Sequence, residues 1–156
     1  MDITYLGAGA VKLAGPTSFA PAIRKAIELS LARGTKDLLF ALIVADGPMN
    51  VRAHTEAALV EAGRLPIVVL CIGVGDGPFD ALHKLEQDLQ EAKRGASNFR
   101  FVEHRQVALE AEAGGMDLDV ALALKCMATV PSVVQYLQKN NYYISAAGSG
   151  KGKAGR

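Results

Sequence analysis

The stretch Leu38-Leu39-Phe40-Ala41-Leu42-Ile43-Val44-Ala45 constrains the fold more than any other part of the chain. Thr35, Lys36 and Asp37 precede it and Asp46-Gly47-Pro48 follows, so it is an apolar run of strand length between turn signals. A run without polar alternation reads as a strand buried on both faces, as parallel sheets require, and it is expected to be central. A second such run, Ile67 to Ile72, is introduced by Pro66 and closed by Gly73-Val74-Gly75-Asp76-Gly77-Pro78. Between them, Met49 to Ala62 has a helical pattern that Gly63 ends, with Ala57, Ala58, Leu59 and Val60 as its apolar contacts. Strand, helix and strand in that order imply a right-handed parallel crossover.

The flanking segments supply more helices. Gly15-Pro16-Thr17-Ser18 is a turn, Thr17 or Ser18 offers a cap, and a helix runs through Pro21 to Arg33 with Ile23, Ile27 and Leu31 at helical spacing. Phe79 to Lys93 is a third helix, with Phe79, Leu82, Leu85 and Leu89 on one face. Phe99 to Glu103 alternates as a half-exposed edge strand does, and the acidic segment Val107 to Gly115 reads as a loop or short helix. Leu118 to Lys139 is a long helix that Pro131 should kink or divide. Val11-Lys12-Leu13 reads as a short strand end. The expected organisation is one α/β domain over residues 1–144, a partial doubly wound parallel sheet with helices on both faces, and a flexible Gly/Lys tail over 145–156.

Composition narrows the function classes. Of 156 residues, half are hydrophobic and 21% are charged, enough for one globular core, and a net charge of +1 gives no basis for nucleic-acid binding. No uninterrupted apolar run approaches the ~18 to 20 residues of a membrane span, so no membrane insertion is expected. Met1-Asp2 opens without the pattern of a secretory signal, and Cys71 and Cys126 lie in apolar segments as small core residues, which fits a reducing cytosol. Those two cysteines, and His54, His83 and His104, form no zinc pattern. The loop Gly73 to Gly77 is a partial dinucleotide fingerprint, but its third glycine falls at Pro78 and Asp76 repels a pyrophosphate. Gly148-Ser149-Gly150-Lys151-Gly152-Lys153 has neither the spacing nor the preceding strand of a phosphate loop. No serine or cysteine sits in a nucleophile elbow and neither His83 nor His104 has an evident partner, so no catalytic residue and no organic cofactor are assigned.

The remaining pair is Thr17 and Asp46. Asp46 follows the first apolar run, and ligands of open α/β sheets bind outside the carboxyl ends of the strands. The competing reading is that Asp46 opens a tight turn with Gly47 and Pro48. A threonine hydroxyl and an aspartate carboxylate suit a hard cation, Mg²⁺ or Ca²⁺.

Several joined segments resemble a known family. Gly15-Pro16-Thr17-Ser18-Phe19-Ala20-Pro21-Ala22-Ile23, Leu42-Ile43-Val44-Ala45-Asp46-Gly47, Leu65-Pro66-Ile67-Val68-Val69 and Ile72-Gly73-Val74-Gly75 with Phe79 are similar to the von Willebrand factor A-type domain of copines. Ser97 to Val102 resembles that family's edge-strand segment. Ala121 to Met127, with Val130-Pro131-Ser132, resembles its last helix in the form seen in plant RING-type ubiquitin ligases. The resemblance runs roughly from Val11 to Tyr136 and implies a protein-interaction domain with a metal-ion-dependent adhesion site, in which Thr17 matches the threonine ligand and Asp46 the later aspartate.

The family's opening element, Asp-x-Ser-x-Ser after a first strand, has no counterpart, because Asp2-Ile3-Thr4-Tyr5-Leu6 lacks the preceding strand and ends in Leu6. The resemblance therefore implies an incomplete site that holds metal weakly, a partner able to donate a carboxylate, and a sheet lacking the neighbour of the Leu39 to Ala45 strand. That strand would become an edge open to self-association. A fragment of the domain, or a truncated gene, is one expectation. An accessory segment of a ubiquitin ligase and a small nucleotide-binding protein are the alternatives.

Overall fold

The computed structural model describes residues 18–33, 37–50, 52–92 and 97–140. Thr17, the Val11 to Leu13 segment and the tail from residue 145 lie outside them. The element order is α1 (Ala20–Ala32), β1 (Leu39–Ala45), α2 (Arg52–Ala62), β2 (Ile67–Gly73), α3 (Asp80–Glu91), β3 (Phe99–Glu103), α4 (His104–Gly114), α5 (Leu118–Met127) and α6 (Val130–Lys139).

The strands form a parallel sheet in the order β1-β2-β3, with Leu39 opposite Ile67, Ala45 opposite Gly73, and Val69 opposite Phe99. Helices cover both faces. Alternate residues of β2 point to opposite sides: Ile67, Val69 and Cys71 pack with Ile23 and Ile27 of α1, Leu59 of α2, and Leu82 and Leu85 of α3. Val68 and Leu70 pack with Val107 of α4, Ala121 and Cys126 of α5, and Val133 and Leu137 of α6. This is the expected partial doubly wound architecture, with β2 rather than β1 at its centre.

The position of β1 corrects the expectation of a central, doubly buried strand. Among the described residues it pairs with β2 alone. Its odd-numbered side chains Leu39, Ala41 and Ile43 pack on the core under α1, while Phe40, Leu42 and Val44 are 44%, 62% and 62% exposed. The run is apolar on both faces, but only one is covered. The edge position is the one implied by the family resemblance.

β3 departs in the other direction. It is an edge strand, yet Phe99, Phe101 and Val102 are all buried, because α3 packs on one side and α4 and α5 on the other. The segment after it is a full helix, α4, closed by Gly115 in the left-handed region at φ 63°. Leu31, expected on the inner face of α1, is exposed, as is Ala57 of α2.

The stretch Leu118–Lys139 is long and apolar enough by composition to match a membrane span, which no uninterrupted run in the sequence suggested. It is divided into α5 and α6, with Pro131 in the first turn of α6, where its missing N–H costs nothing. Part of its apolar character serves the core: Val133 and Leu137 are fully buried against the sheet.

Candidate functional site

The carboxyl end of β1 is fixed by its neighbour. The Ala45 carbonyl accepts from the Val74 N–H at 2.8 Å, and the chain then bends away at Asp46 and Gly47. Asp46 is therefore exposed at the rim of the sheet, and it lines a cavity of about 210 Å³ together with Phe19, Val44, Pro48 and Asn50. Asp46 thus stands at a bend, as the turn reading expects, with its carboxylate open to solvent.

The start of α1 is held beside this rim. The Phe19 N–H donates to the Thr55 hydroxyl at 3.2 Å, and the Ala20 N–H lies 3.4 Å from the Ser18 hydroxyl. Thr55 is fully buried on α2, so a side chain 36 residues away anchors the entry to α1. Thr17 itself lies outside the described residues. Phe19, two residues on, shares the Asp46 cavity.

Asn50 and Thr55 were not singled out from the sequence. A lone asparagine after Pro48 carries no signal, but Thr55 could have been noticed, because it falls in phase with Ala58, Leu59 and Ala62 on the buried face of α2.

The donors at the rim are oxygens, a carboxylate from Asp46 and an amide from Asn50, which suit a hard and largely hydrated cation such as Mg²⁺. Among the described residues no group of three or more His, Cys, Asp or Glu side chains is placed to hold a metal. The carboxylate capacity of Asp46 alone fits weak binding.

The glycine loop after β2 has a packing role. A Cβ at Gly73 would meet the Phe101 ring at 2.9 Å and the Phe79 ring at 3.1 Å, so the absent side chain admits the pair of aromatics beneath the loop. Gly75 and Gly77 have φ of 86° and 77°, which glycine adopts without strain. Asp76 is paired with Arg105 at 2.7 Å. Phe79 stands at the N-cap of α3 and Asp80 in its first turn, an acidic start that disfavours an anion there.

A second polar region lies between α3, β3, α4 and α5. Arg100 reaches Glu86 at 3.1 Å and the Lys125 carbonyl at 3.0 Å, Lys125 pairs with Glu110 at 2.8 Å, and His83 stands 3.4 Å from Glu103 with its ring edge-on to Phe101. The hydrogen bond and charge of Lys125, helped by Gln106, hold the Glu110 carboxyl below its ordinary range. His83 thus has a carboxylate neighbour that the sequence did not reveal. Among the described residues, the cleft is lined by no serine, threonine or cysteine to act as a nucleophile. Burial pushes the Cys71 thiol up to about 12 and raises that of Cys126, so both are poor nucleophiles at neutral pH.

Comparison with known proteins gives a family match over most of the chain. The family model described as Copine matches residues 7–144. Copine family protein 1 of Caenorhabditis elegans is 35% identical over 121 residues, which cover 78% of this chain and 10% of that protein. The E3 ubiquitin-protein ligase RGLG2 of Arabidopsis thaliana is 30% identical over 133 residues, covering 78% of this chain and 28% of the ligase. Protein BONZAI 1 of Arabidopsis thaliana is 38% identical over 90 residues, covering 56% and 16% respectively. The chain thus spans well under a third of each of these relatives.

Proposed function

The chain belongs to the copine family, and from that premise we propose that it acts as a copine-type interaction domain, non-enzymatic and cytoplasmic, whose carboxyl sheet edge meets a protein partner. The observation that supports this reading is the exposed Asp46 carboxylate at the end of β1, sharing a cavity with Phe19, the residue that precedes α1. Thr17 and Asp46 are the proposed protein ligands of Mg²⁺ or Ca²⁺, with Asn50 as a further oxygen donor. When bound, the cation supplies positive charge that accepts a carboxylate from the partner. Asp46 orients it, and the Ala45 to Val74 hydrogen bond keeps that carboxylate at the rim.

The calcium- and membrane-linked signalling context of the family is part of this proposal. So is self-association through β1.

Three protein oxygens, only one of them charged, leave about three of six octahedral positions to water, so affinity without a partner is expected to be weak, on the order of millimolar. Calorimetric titration of the 156-residue chain with Mg²⁺ and with Ca²⁺ tests this. Weak binding that Asp46→Ala abolishes supports the reading, and tight binding indifferent to Asp46→Ala places the site elsewhere and ends it.

The 30% identity to a ubiquitin ligase favours a second reading, in which the chain is the interaction segment of a ligase-like protein. Co-purification with a ubiquitin-conjugating enzyme would favour it over the first. The nucleotide-binding alternative gains no support from a loop in which Gly73 makes room for two aromatic rings and Asp76 is paired with Arg105.

A further inference from the structure

We propose that β1 is the interface of a two-fold dimer, pairing antiparallel with β1 of a second copy in a register centred on Leu42. The inference needs no metal ion and stands apart from the reading of Asp46 as a ligand.

The main chain sets the register. In a parallel pair, alternate residues point their N–H and C=O groups toward the neighbour. The Leu39 N–H donates to the Pro66 carbonyl at 2.8 Å, and the Ala45 carbonyl accepts from Val74 at 2.8 Å, so the odd-numbered residues face β2. The N–H and C=O groups of Phe40, Leu42 and Val44 therefore point out of the sheet edge. An antiparallel copy centred on Leu42 sets Leu42 against Leu42, and Phe40 against Val44, of the second copy. Each of these three pairs exchanges two hydrogen bonds, so all the outward groups of the strand find partners in one closed arrangement.

The side chains offer no obstacle. Leu39 to Ala45 contains no charge, proline or glycine, so it lacks the devices that commonly keep an edge strand unpaired. Phe40, Leu42 and Val44 lie on one face, and the pairing keeps equivalent faces together, so Phe40 of one copy packs beside Val44 of the other.

Charge selects the second copy and the direction. Asp46 lies at the carboxyl end of β1, and Arg33 lines the groove beside Leu38 and Leu39 at the amino end. Both are exposed. Antiparallel pairing brings Arg33 of each copy, which offsets the exposed Asp37 at the same end, toward Asp46 of the other, whereas parallel pairing in register sets Asp46 against Asp46 and Asp37 against Asp37. The strand edge thus carries both halves of two opposite-charge contacts, as a self-complementary interface must.

Size sets the strength. Seven residues at about 3.4 Å each make a seam roughly 24 Å long. With the flanking α1 helices the interface is on the order of 1,000 Å² in total, at the low end for specific association, and a micromolar dimer is expected.

Sedimentation velocity of the full chain without divalent metal, from about 1 to 300 μM, tests the proposal. The expected result is a concentration-dependent monomer–dimer exchange. Leu42→Lys, at an exposed position, should weaken it about tenfold or more with an unchanged circular dichroism spectrum. Arg33→Glu should weaken it as well, and Arg33→Glu combined with Asp46→Arg should restore it. A monomer at every concentration overturns the proposal, including one in which residues 1–17 of the same chain cover the strand and protect the Phe40, Leu42 and Val44 amides from exchange. Open-ended oligomers, or a dimer indifferent to Leu42→Lys, overturn it too. A dimer that forms only with Mg²⁺ ends this inference and leaves the metal reading standing. A metal-free dimer in a chain that binds no Mg²⁺ does the reverse.

Discussion

Cys71 sits in the middle of β2, fully buried between two core layers, and it couples stability to alkaline pH. Burial raises its thiol from an ordinary value of 9.0 to about 12. The folded protein therefore keeps the proton between pH 9 and about 12, a range in which the unfolded chain loses it. The stability is fully present below pH 9 and falls as pH rises toward 12, by about 1.4 kcal/mol per unit. Urea unfolding at pH 8 and at pH 10.5 should show wild type losing about 2 kcal/mol more than Cys71→Ala, whatever the cost of the substitution itself. Equal losses would mean that the thiol ionises without unfolding. Asp46 was legible at this scale because it ends an apolar run. Asn50 was not, since one polar residue in a loop leaves no periodic trace, and Thr55 was legible only through its phase with Ala58, Leu59 and Ala62.

Among the elements, β3 is linked by one side chain, Arg100, to helices on both of its sides. Arg100 leaves the strand to reach Glu86 on α3 and the Lys125 carbonyl on α5, so it ties together helices that lie on opposite sides of the sheet. Glu86 is mostly buried and also accepts from the Phe101 N–H at 3.3 Å. Arg100→Met keeps much of the apolar stem but leaves that carboxylate without its cation. A loss of about 1–3 kcal/mol is expected in urea unfolding, with little dependence on salt. A change within about 0.5 kcal/mol would mark the pair as a surface ornament. The strands and most helices were legible because apolar runs and helical spacing are direct consequences of burial. α4 was legible only as a loop or short helix, because it buries only Val107 and Ala111 while Leu109 faces solvent, and an acidic, alanine-rich segment without an apolar stripe looks the same in either. The exposed face of β1 was illegible for the opposite reason: Phe40, Leu42 and Val44 give the same sequence signal whether or not anything covers them.

For the whole molecule, the central fact is that the middle strand, β2, belongs to both cores. Val69 points into the layer of α1, α2 and α3, and its neighbour Val68 into the layer of α4, α5 and α6, both fully buried. Neither layer can keep its packing if β2 leaves the sheet, so the two should unfold together despite sharing few direct contacts. Val69→Ala and Val68→Ala are each expected to cost about 1–3 kcal/mol through lost burial and the cavity left behind. Each should move a single transition rather than divide it, with helical circular dichroism and the near-ultraviolet signal changing at the same urea concentration. The amides of β2 should then exchange at the rate of global unfolding in both variants. If Val68→Ala instead gives two transitions, with part of the helical signal lost first while the Val69 side stays folded, then α4 to α6 form a separate cooperative unit resting on the sheet, and β2 does not couple the two layers.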